Sequence, residues 1–189
     1  MASKKAASKK PASKKTRGGT LYAQIAAALN EAVPVSVKAT MARHPKLTGF
    51  ALCTDSTLST LFSVASALER SEPDWPTPNE WTVKPVHHKR LDGVSRLLAR
   101  ACRENPDLDD HATVAWKLLE DALSNSGGPS DLLLIVADSD PDQQTEKAMK
   151  RSVARLNSKR IAKEWNAAMN GAGSDLLREH YRWLVEQYS

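Results

Sequence analysis

The sequence predicts an α+β fold: a small, mainly antiparallel sheet packed with several helices, preceded by a disordered basic N-terminal tail. Three observations predict it. Apolar residues recur at helical spacing along much of the chain, a few short segments have strand patterns, and the first twenty residues hold cations without any acid. We divide the chain into residues 1–20, a Lys-rich tail, and residues 21–189, a single globular domain long enough to bury a sizeable core.

The tail repeats the tetrapeptide Ala-Ser-Lys-Lys with a period of five, which matches neither a helix nor a strand. Beyond Met1 it offers no large apolar side chain, so it cannot offset the entropy lost on ordering. Its cations are Lys4, Lys5, Lys9, Lys10, Lys14, Lys15 and Arg17. They are candidate nucleic-acid-binding residues, because each neutralised phosphate adds a salt-dependent contribution to affinity. The alternative is a tail that only aids solubility.

The formal net charge of +5 is unevenly distributed along the chain. The tail holds seven cations, which leaves 20 cations and 22 acids in residues 21–189. The globular domain is therefore expected to be mildly acidic, with a net charge of −2, and the positive charge is expected to belong to the tail.

The first half of the domain predicts a helix followed by a β-hairpin. The helix covers residues 21 to about 44, and Pro34 is expected to kink or split it. Residues Thr48–Thr54 alternate as a strand does. Residues Asp55–Thr57 predict a turn, after which Leu58–Ala65 returns as the second strand.

A segment rich in proline and tryptophan, Ser71–Pro85, predicts a rigid extended loop. Most tryptophans should lie in the core, but Trp75 is expected to stay accessible because of its place in this loop. An exposed tryptophan beside Asp74 and Glu80 is typical of a protein–protein hot spot. The candidate protein-binding residues are therefore Asp74, Trp75, Glu80 and Trp81.

The second half of the domain predicts mostly helices. Two apolar stripes, within residues 91–101 and 115–122, indicate two amphipathic helices. A further helix is expected to carry Ile161 and Trp165, and a last one to begin at Ser174.

One buried strand interrupts these helices. Residues Leu132–Ala137 are six apolar residues bounded by aspartates, which is typical of a central strand covered on both faces. After it, Asp140 predicts a helix N-cap and Gln143 completes a capping box. This helix is expected to end near Leu156.

Several segments together resemble a bacterial family of unknown function, the domain-of-unknown-function family four-three-zero-three. The segments that carry the resemblance are Phe50–Asp55, Leu58–Ser66, Trp75, Glu80–Trp81, Leu132–Pro141 and Ser152–Asn157. Their order and spacing cover roughly residues 21–168. The resemblance implies a stand-alone cytosolic domain with a role of the toxin–immunity kind. The family has no established activity to transfer, so the resemblance leaves the chemistry open.

The sequence contains no complete catalytic or metal-binding motif, so we assign no catalytic residue, no metal ligand and no cofactor. Asp138 and Asp140 follow a buried strand and could hold a hard cation with Asp55, although capping and turn formation explain them better. His87 and His88 are adjacent and would point to opposite faces of an extended segment.

A cytoplasmic location fits the chain, because Cys53 and Cys102 cannot build a disulfide scaffold and no signal peptide or membrane-spanning run is present. We expect a non-enzymatic domain that binds another protein through its acidic body, in an immunity-like role. The alternatives are non-specific nucleic-acid association through the tail and an unrecognised enzyme that uses Asp55, Asp138 and Asp140.

Overall fold

The helical and strand patterns of the sequence fold into five helices and three strands over the residues that the computed structural model describes, 16–105 and 107–171. The elements are α1 (Thr16–Arg43), β1 (Gly49–Thr54), β2 (Phe62–Ser66), α2 (Leu91–Glu104), α3 (Leu108–Ser124), β3 (Leu133–Asp138), α4 (Gln143–Leu156) and α5 (residues 159–171). The predicted α+β class with a small sheet and several helices is confirmed. The tail lysines from Lys4 to Lys15 and the helix expected from Ser174 lie outside the described residues.

The sheet has the strand order β2-β1-β3 and is mixed. β1 pairs with β2 in the antiparallel sense, as the hairpin pattern predicts, and with β3 in the parallel sense, with Thr54 opposite Asp138. The central strand is therefore β1, and the prediction that Leu132–Ala137 is central is wrong. β3 lies at the edge of the sheet, but all six of its residues are buried. Its apolar sequence therefore resembles that of a central strand.

Side chains from α4 and the residue that follows it occupy the open edge of β3. Asn157 accepts the Leu134 N–H through Oδ1 at 2.7 Å and donates from Nδ2 to the Leu134 carbonyl at 2.7 Å. Ser152 Oγ accepts the Val136 N–H at 3.3 Å. These bonds satisfy the N–H groups of Leu134 and Val136 and the Leu134 carbonyl, which a fourth strand would otherwise pair.

Two hydrophobic clusters cover the two faces of the sheet. Phe50 and Leu52 of β1 lie in the cluster that includes α1, α2 and α3. Cys53, the next residue in β1 after Leu52, lies with Trp75 and Trp165 in the other cluster, against α4 and α5. The alternation of a strand explains this division, because successive side chains point to opposite faces.

Two helix ends differ from expectation. Helix α1 begins at Thr16, inside the segment assigned to the tail, and it continues through Pro34 without a break. Helix α4 is capped by Asp142 rather than Asp140: Asp142 accepts the N–H groups of Gln144 and Thr145, and Thr145 Oγ1 accepts the Asp142 N–H. A reciprocal Asp-x-x-Thr box at this register displaces the predicted Asp-x-x-Gln box.

Within residues 16–105 and 107–171, none of the helices combines the length and the apolar character that crossing a membrane requires.

Candidate functional site

Seven aspartates lie at one end of the domain, where β1 and β3 end and where α3 and α4 begin. Because β1 and β3 are parallel, their carboxyl ends meet and bring Asp55 next to Asp138. The backbone joins the two strand ends, since the Ser139 N–H donates to the Thr54 carbonyl at 2.8 Å. We call this region the aspartate end, and its members are Asp55, Asp107, Asp109, Asp110, Asp138, Asp140 and Asp142.

The first turn of α3 reaches the same end through His111. This imidazole is fully buried, and its Nε2 lies 3.3 Å from the carbonyl oxygen of Leu58, in the turn that follows β1. Its Nδ1 is hydrogen-bonded to the Tyr22 hydroxyl of α1 at 2.9 Å. His111 is thus a satisfied core residue, and its contact with Leu58 joins the first turn of α3 to the turn that follows β1.

Asp55 uses both carboxylate oxygens to hold its own loop. Oδ1 accepts the N–H of Thr57 at 3.1 Å and that of Ser59 at 2.8 Å, and Oδ2 accepts the Ser59 hydroxyl at 2.8 Å. Burial opposes ionisation of this group, but the hydrogen bonds from Ser59 and Thr57 outweigh it and lower the pKa of Asp55. Asp55 is an ionised structural carboxylate.

Asp138 is the opposite case. Its side chain is 1% exposed; Oδ1 accepts the Asp140 N–H at 2.9 Å, whereas Oδ2 has no hydrogen-bond partner within the described residues. Burial raises the pKa of Asp138, and the negative charges of Asp55, Asp140 and Asp142 raise it further. The pKa of Asp138 therefore depends on the charges of Asp55, Asp140 and Asp142.

The structure thus brings together Asp55, Asp138 and Asp140, the three residues of the enzyme alternative. Asp55 is turned into its loop and Asp138 is buried, so only Asp140 is exposed to solvent. No group of three or more His, Cys, Asp or Glu side chains within the described residues is arranged to hold a metal ion. The pair of aspartates at the strand ends stabilises loops and leaves no accessible acid–base pair.

The tryptophan loop is packed into the domain, and the prediction that Trp75 is exposed is wrong. Trp75 is 0% exposed and Trp81 is 5% exposed. Trp81 Nε1 donates to the Trp75 carbonyl at 3.0 Å, and Trp165 Nε1 donates to the Pro76 carbonyl at 2.9 Å. These indole bonds turn the rings inward, so Trp75 and Trp81 cannot serve as surface anchors for a partner.

The carboxylates of the same loop remain on the surface. Asp74 and Glu80 are exposed. Asn79 Nδ2 donates to the Ser139 carbonyl at 2.9 Å and ties this loop to the segment between β3 and α4. Of the four candidate protein-binding residues, the two acids are therefore placed where a partner can reach them.

The exposed aspartates are not neutralised within the described residues. Asp107, Asp109, Asp110, Asp140 and Asp142 are all exposed, and none of the described ion pairs includes a residue of the aspartate end. Hydrogen bonds partly offset their charge: the N-cap carboxylates of Asp107 and Asp142 accept N–H groups of the helices that they begin, and the Asn105 amide donates to Asp110 at 3.3 Å. Sequence reasoning missed four members of the aspartate end: Asp107, Asp109, Asp110 and Asp142. Their position just before or within the first turn of a helix is the signal that could have identified them.

Cys53 lies one strand position before the aspartate end and is not reactive. It is completely buried, and burial together with the charge of Asp138 raises the pKa of its thiol to about 12. The thiolate needed for nucleophilic attack is therefore suppressed near neutral pH. Cys102 is half-buried, as expected from its position on α2.

The charge of the body is segregated rather than mildly acidic throughout. Residues 143–171 hold seven cationic and two acidic residues, a net charge of +5. Residues 21–142 hold 11 cationic and 17 acidic residues, a net charge of −6. The net charge of −2 over residues 21–189 is therefore an average over two regions of opposite sign.

No protein-family model matches the chain, and no match is found among curated proteins or solved structures.

Proposed function

We propose that this protein acts by binding a basic protein partner at the aspartate end. The observation that carries the proposal is a set of exposed carboxylates, gathered at one end of the domain, that no described ion pair neutralises. A surface with one sign of charge attracts a partner of the opposite sign and accelerates its association. The family resemblance adds that the role is of the immunity kind, in which a basic toxin is a suitable partner.

Rigidity of the supporting loops favours such a role. The Asp55 loop is fixed by its own carboxylate, and the tryptophan loop is fixed by the indole bonds of Trp81 and Trp165. Asn79 then joins the tryptophan loop to the segment that carries Asp140. A preorganised acidic surface loses little conformational entropy on binding, which increases affinity for a partner of matching shape.

The self-repulsion of this end also favours a partner. Burial raises the pKa of Asp138, and the charges of Asp55, Asp140 and Asp142 raise it further, so the free domain retains unfavourable electrostatic interactions that a cationic partner would relieve. Binding of cationic side chains is therefore expected to lower the pKa of Asp138 and to weaken as salt is added.

The test compares two triple variants of the full chain as baits for capture from a lysate of the source cells. Asp109→Asn, Asp140→Asn and Asp142→Asn remove three charges from the aspartate end, and asparagine keeps the N-cap of α4. The control set, Glu31→Gln, Asp92→Asn and Asp131→Asn, removes three exposed charges elsewhere. Proteins retained by each bait are identified by mass spectrometry, and their affinities are measured by calorimetry with the purified proteins.

A basic protein that binds the wild type and the control variant alike, but binds the aspartate-end variant at least tenfold more weakly, supports the proposal. Equal affinity for both variants contradicts it. So does the recovery of no basic protein that binds in a defined ratio to the wild-type chain.

A further inference from the structure

Helix α4 presents a cationic face to solvent. Its buried stripe, which includes Met149, Ser152 and Val153, packs against the sheet. At 100° per residue, the opposite side of the helix is centred near Lys147, with Lys150 and Arg151 on either side of that centre. All three side chains are exposed, and we call them the α4 basic face.

These three cations have no structural partner within the described residues. Arg155, on the same helix, pairs with Glu120 and with Asp121, and Arg160 of α5 pairs with Glu164 at 2.9 Å. None of the described ion pairs contains a member of the α4 basic face. Like charges three and four residues apart repel each other on a helix, so the spacing of Lys147, Lys150 and Arg151 costs stability.

The face is also open enough for an extended ligand. Gln144 and the three cations line one shallow groove of about 550 Å³. Ala154, the next residue along the same side of the helix, is exposed and small, so a ligand can approach the helix closely. Lys159 and Lys163 are exposed on α5 and add to the positive charge of this part of the chain.

We infer that the α4 basic face binds the phosphate backbone of double-stranded nucleic acid. Closely spaced lysine and arginine side chains can contact phosphates whatever the base sequence is. The α4 basic face has no Asn or Gln among its three members to pair with the edges of bases, so we expect its contacts to be independent of sequence. A lipid surface fits less well, because interfacial helices insert large apolar side chains. The exposed large hydrophobic residues of the described chain are Val35, Phe62 and Leu108, and none of them lies on α4 or α5.

This site differs from the aspartate end in position and in sign of charge, and it does not depend on the proposed protein partner. It also differs from the tail hypothesis, because it assigns the phosphate contacts to a helix of the folded domain. The two contributions can be separated in the full-length chain by changing only the helix.

The experiment measures fluorescence anisotropy of a labelled DNA duplex of about 20 base pairs with the full chain, from about 50 mM salt upward. The test variant combines Lys147→Gln, Lys150→Gln and Arg151→Gln, which keeps good helix formers at all three positions. The control combines Lys46→Gln, Lys84→Gln and Lys89→Gln, which removes three exposed cations from other parts of the domain. Circular dichroism and thermal melts confirm that both variants are folded.

We expect the α4 variant to bind at least tenfold more weakly than the wild type, and the control to stay within about twofold. The slope of log affinity against log salt should also decrease in magnitude by about 2 to 3 in the α4 variant, because three phosphate contacts are lost. If the α4 variant binds DNA with the same affinity and the same salt slope as the wild type, the DNA contacts belong to the tail and the inference is overturned. An equal loss in the control, or no binding by the wild type, would overturn it as well.

An unlabelled competitor tests the class of ligand. Unlabelled duplex is expected to displace the labelled DNA at a lower charge concentration than poly-glutamate does. Displacement by poly-glutamate at an equal or lower concentration would assign the α4 basic face to an acidic protein instead, and would overturn the inference.

Discussion

Asp55 directly follows β1 and Asp138 ends the parallel neighbouring strand β3, and the pKa values of their carboxyl groups are shifted in opposite directions. Asp55 accepts hydrogen bonds on both oxygens, whereas Asp138 has one oxygen buried without a partner. Satisfaction of the charged form therefore decides the direction of each shift. The two residues contribute to stability with opposite dependence on pH, which can be measured.

Asp138→Asn is expected to stabilise the protein at neutral pH by about 1 kcal/mol, because it removes a buried charge that is not fully paired. The pKa of Asp138 is raised on folding, so the wild type loses stability as pH rises from the unfolded value of 3.8 through the folded value. The variant should lack this loss. Urea denaturation followed by circular dichroism at a series of pH values measures it.

A variant that is equally destabilised at acidic and neutral pH would show that the geometry of Asp138, rather than its charge, matters. Asp140→Asn changes an exposed neighbouring carboxylate and provides the control. Asp140→Asn should reduce the loss of stability with rising pH only by the part that comes from the repulsion between Asp140 and Asp138.

Asp55→Ala is expected to destabilise the protein by about 2–4 kcal/mol at pH 7, because four hydrogen bonds from Thr57 and Ser59 are lost. The pKa of Asp55 is lowered on folding, so its contribution is present above the unfolded value of 3.8 and is lost as pH falls through the folded value. The difference between wild type and variant in unfolding free energy should therefore shrink in acid. A difference that stays constant with pH contradicts this account, and Asp131→Ala, at an exposed site, controls for net charge.

Local patterns in the sequence predicted much of the fold. The alternation in Thr48–Thr54 and the turn signal after it predicted β1 and the hairpin, and the apolar stripes predicted α2 and α3. These features depend on neighbours along the chain, and for that reason a single sequence reveals them. The identity of the central strand depends on which elements cover each face, so the composition of Leu132–Ala137 could not decide it.

The candidate site was less predictable. Aspartate is a favoured N-cap residue, so both Asp140 and Asp142 are candidates for the N-cap of α4. Which of them caps the helix depends on where β3 ends and on the Thr145 side chain, which accepts the Asp142 N–H. The burial of Trp75 depends on Trp165, 90 positions away along the chain, in the same cluster. The aspartate end joins residues from four elements. The parallel pairing of β1 with β3 brings Asp55 and Asp138 together, and the contact of His111 with Leu58 brings α3 to the same end.

Gly49→Ala is expected to destabilise the protein by about 1–3 kcal/mol or more through overpacking. A Cβ at this position would lie 2.5 Å from a ring carbon of Trp81, which is itself buried and hydrogen-bonded to the Trp75 carbonyl. The ring would have to shift and loosen the tryptophan loop. Gly93→Ala in α2 is the matched control: it meets no atom within 4 Å and should stabilise the helix by about 0.5–1 kcal/mol.

Chemical denaturation of both glycine variants measures these changes, and tryptophan fluorescence reports the environment of the ring. A Gly49 variant as stable as the wild type, with an unchanged emission maximum, would mean that the Trp81 ring does not pack against this strand.

Asn157→Ala is expected to destabilise the protein by about 2–4 kcal/mol, because it leaves the N–H and the carbonyl of Leu134 unpaired at the edge of the sheet. The same change exposes an edge strand that can pair with another chain, so the variant should also aggregate faster on mild heating. Asn166→Ala is the control, since within the part of the chain that the structure describes the Asn166 amide donates only to the Ala162 carbonyl of its own helix. Unfolding free energies and light scattering compare the two variants. If the two variants are equally stable and aggregate at the same rate, Asn157 does not protect the edge of β3. If only Asn157→Ala lowers the unfolding free energy, one amide side chain takes the place of a fourth strand at Leu134.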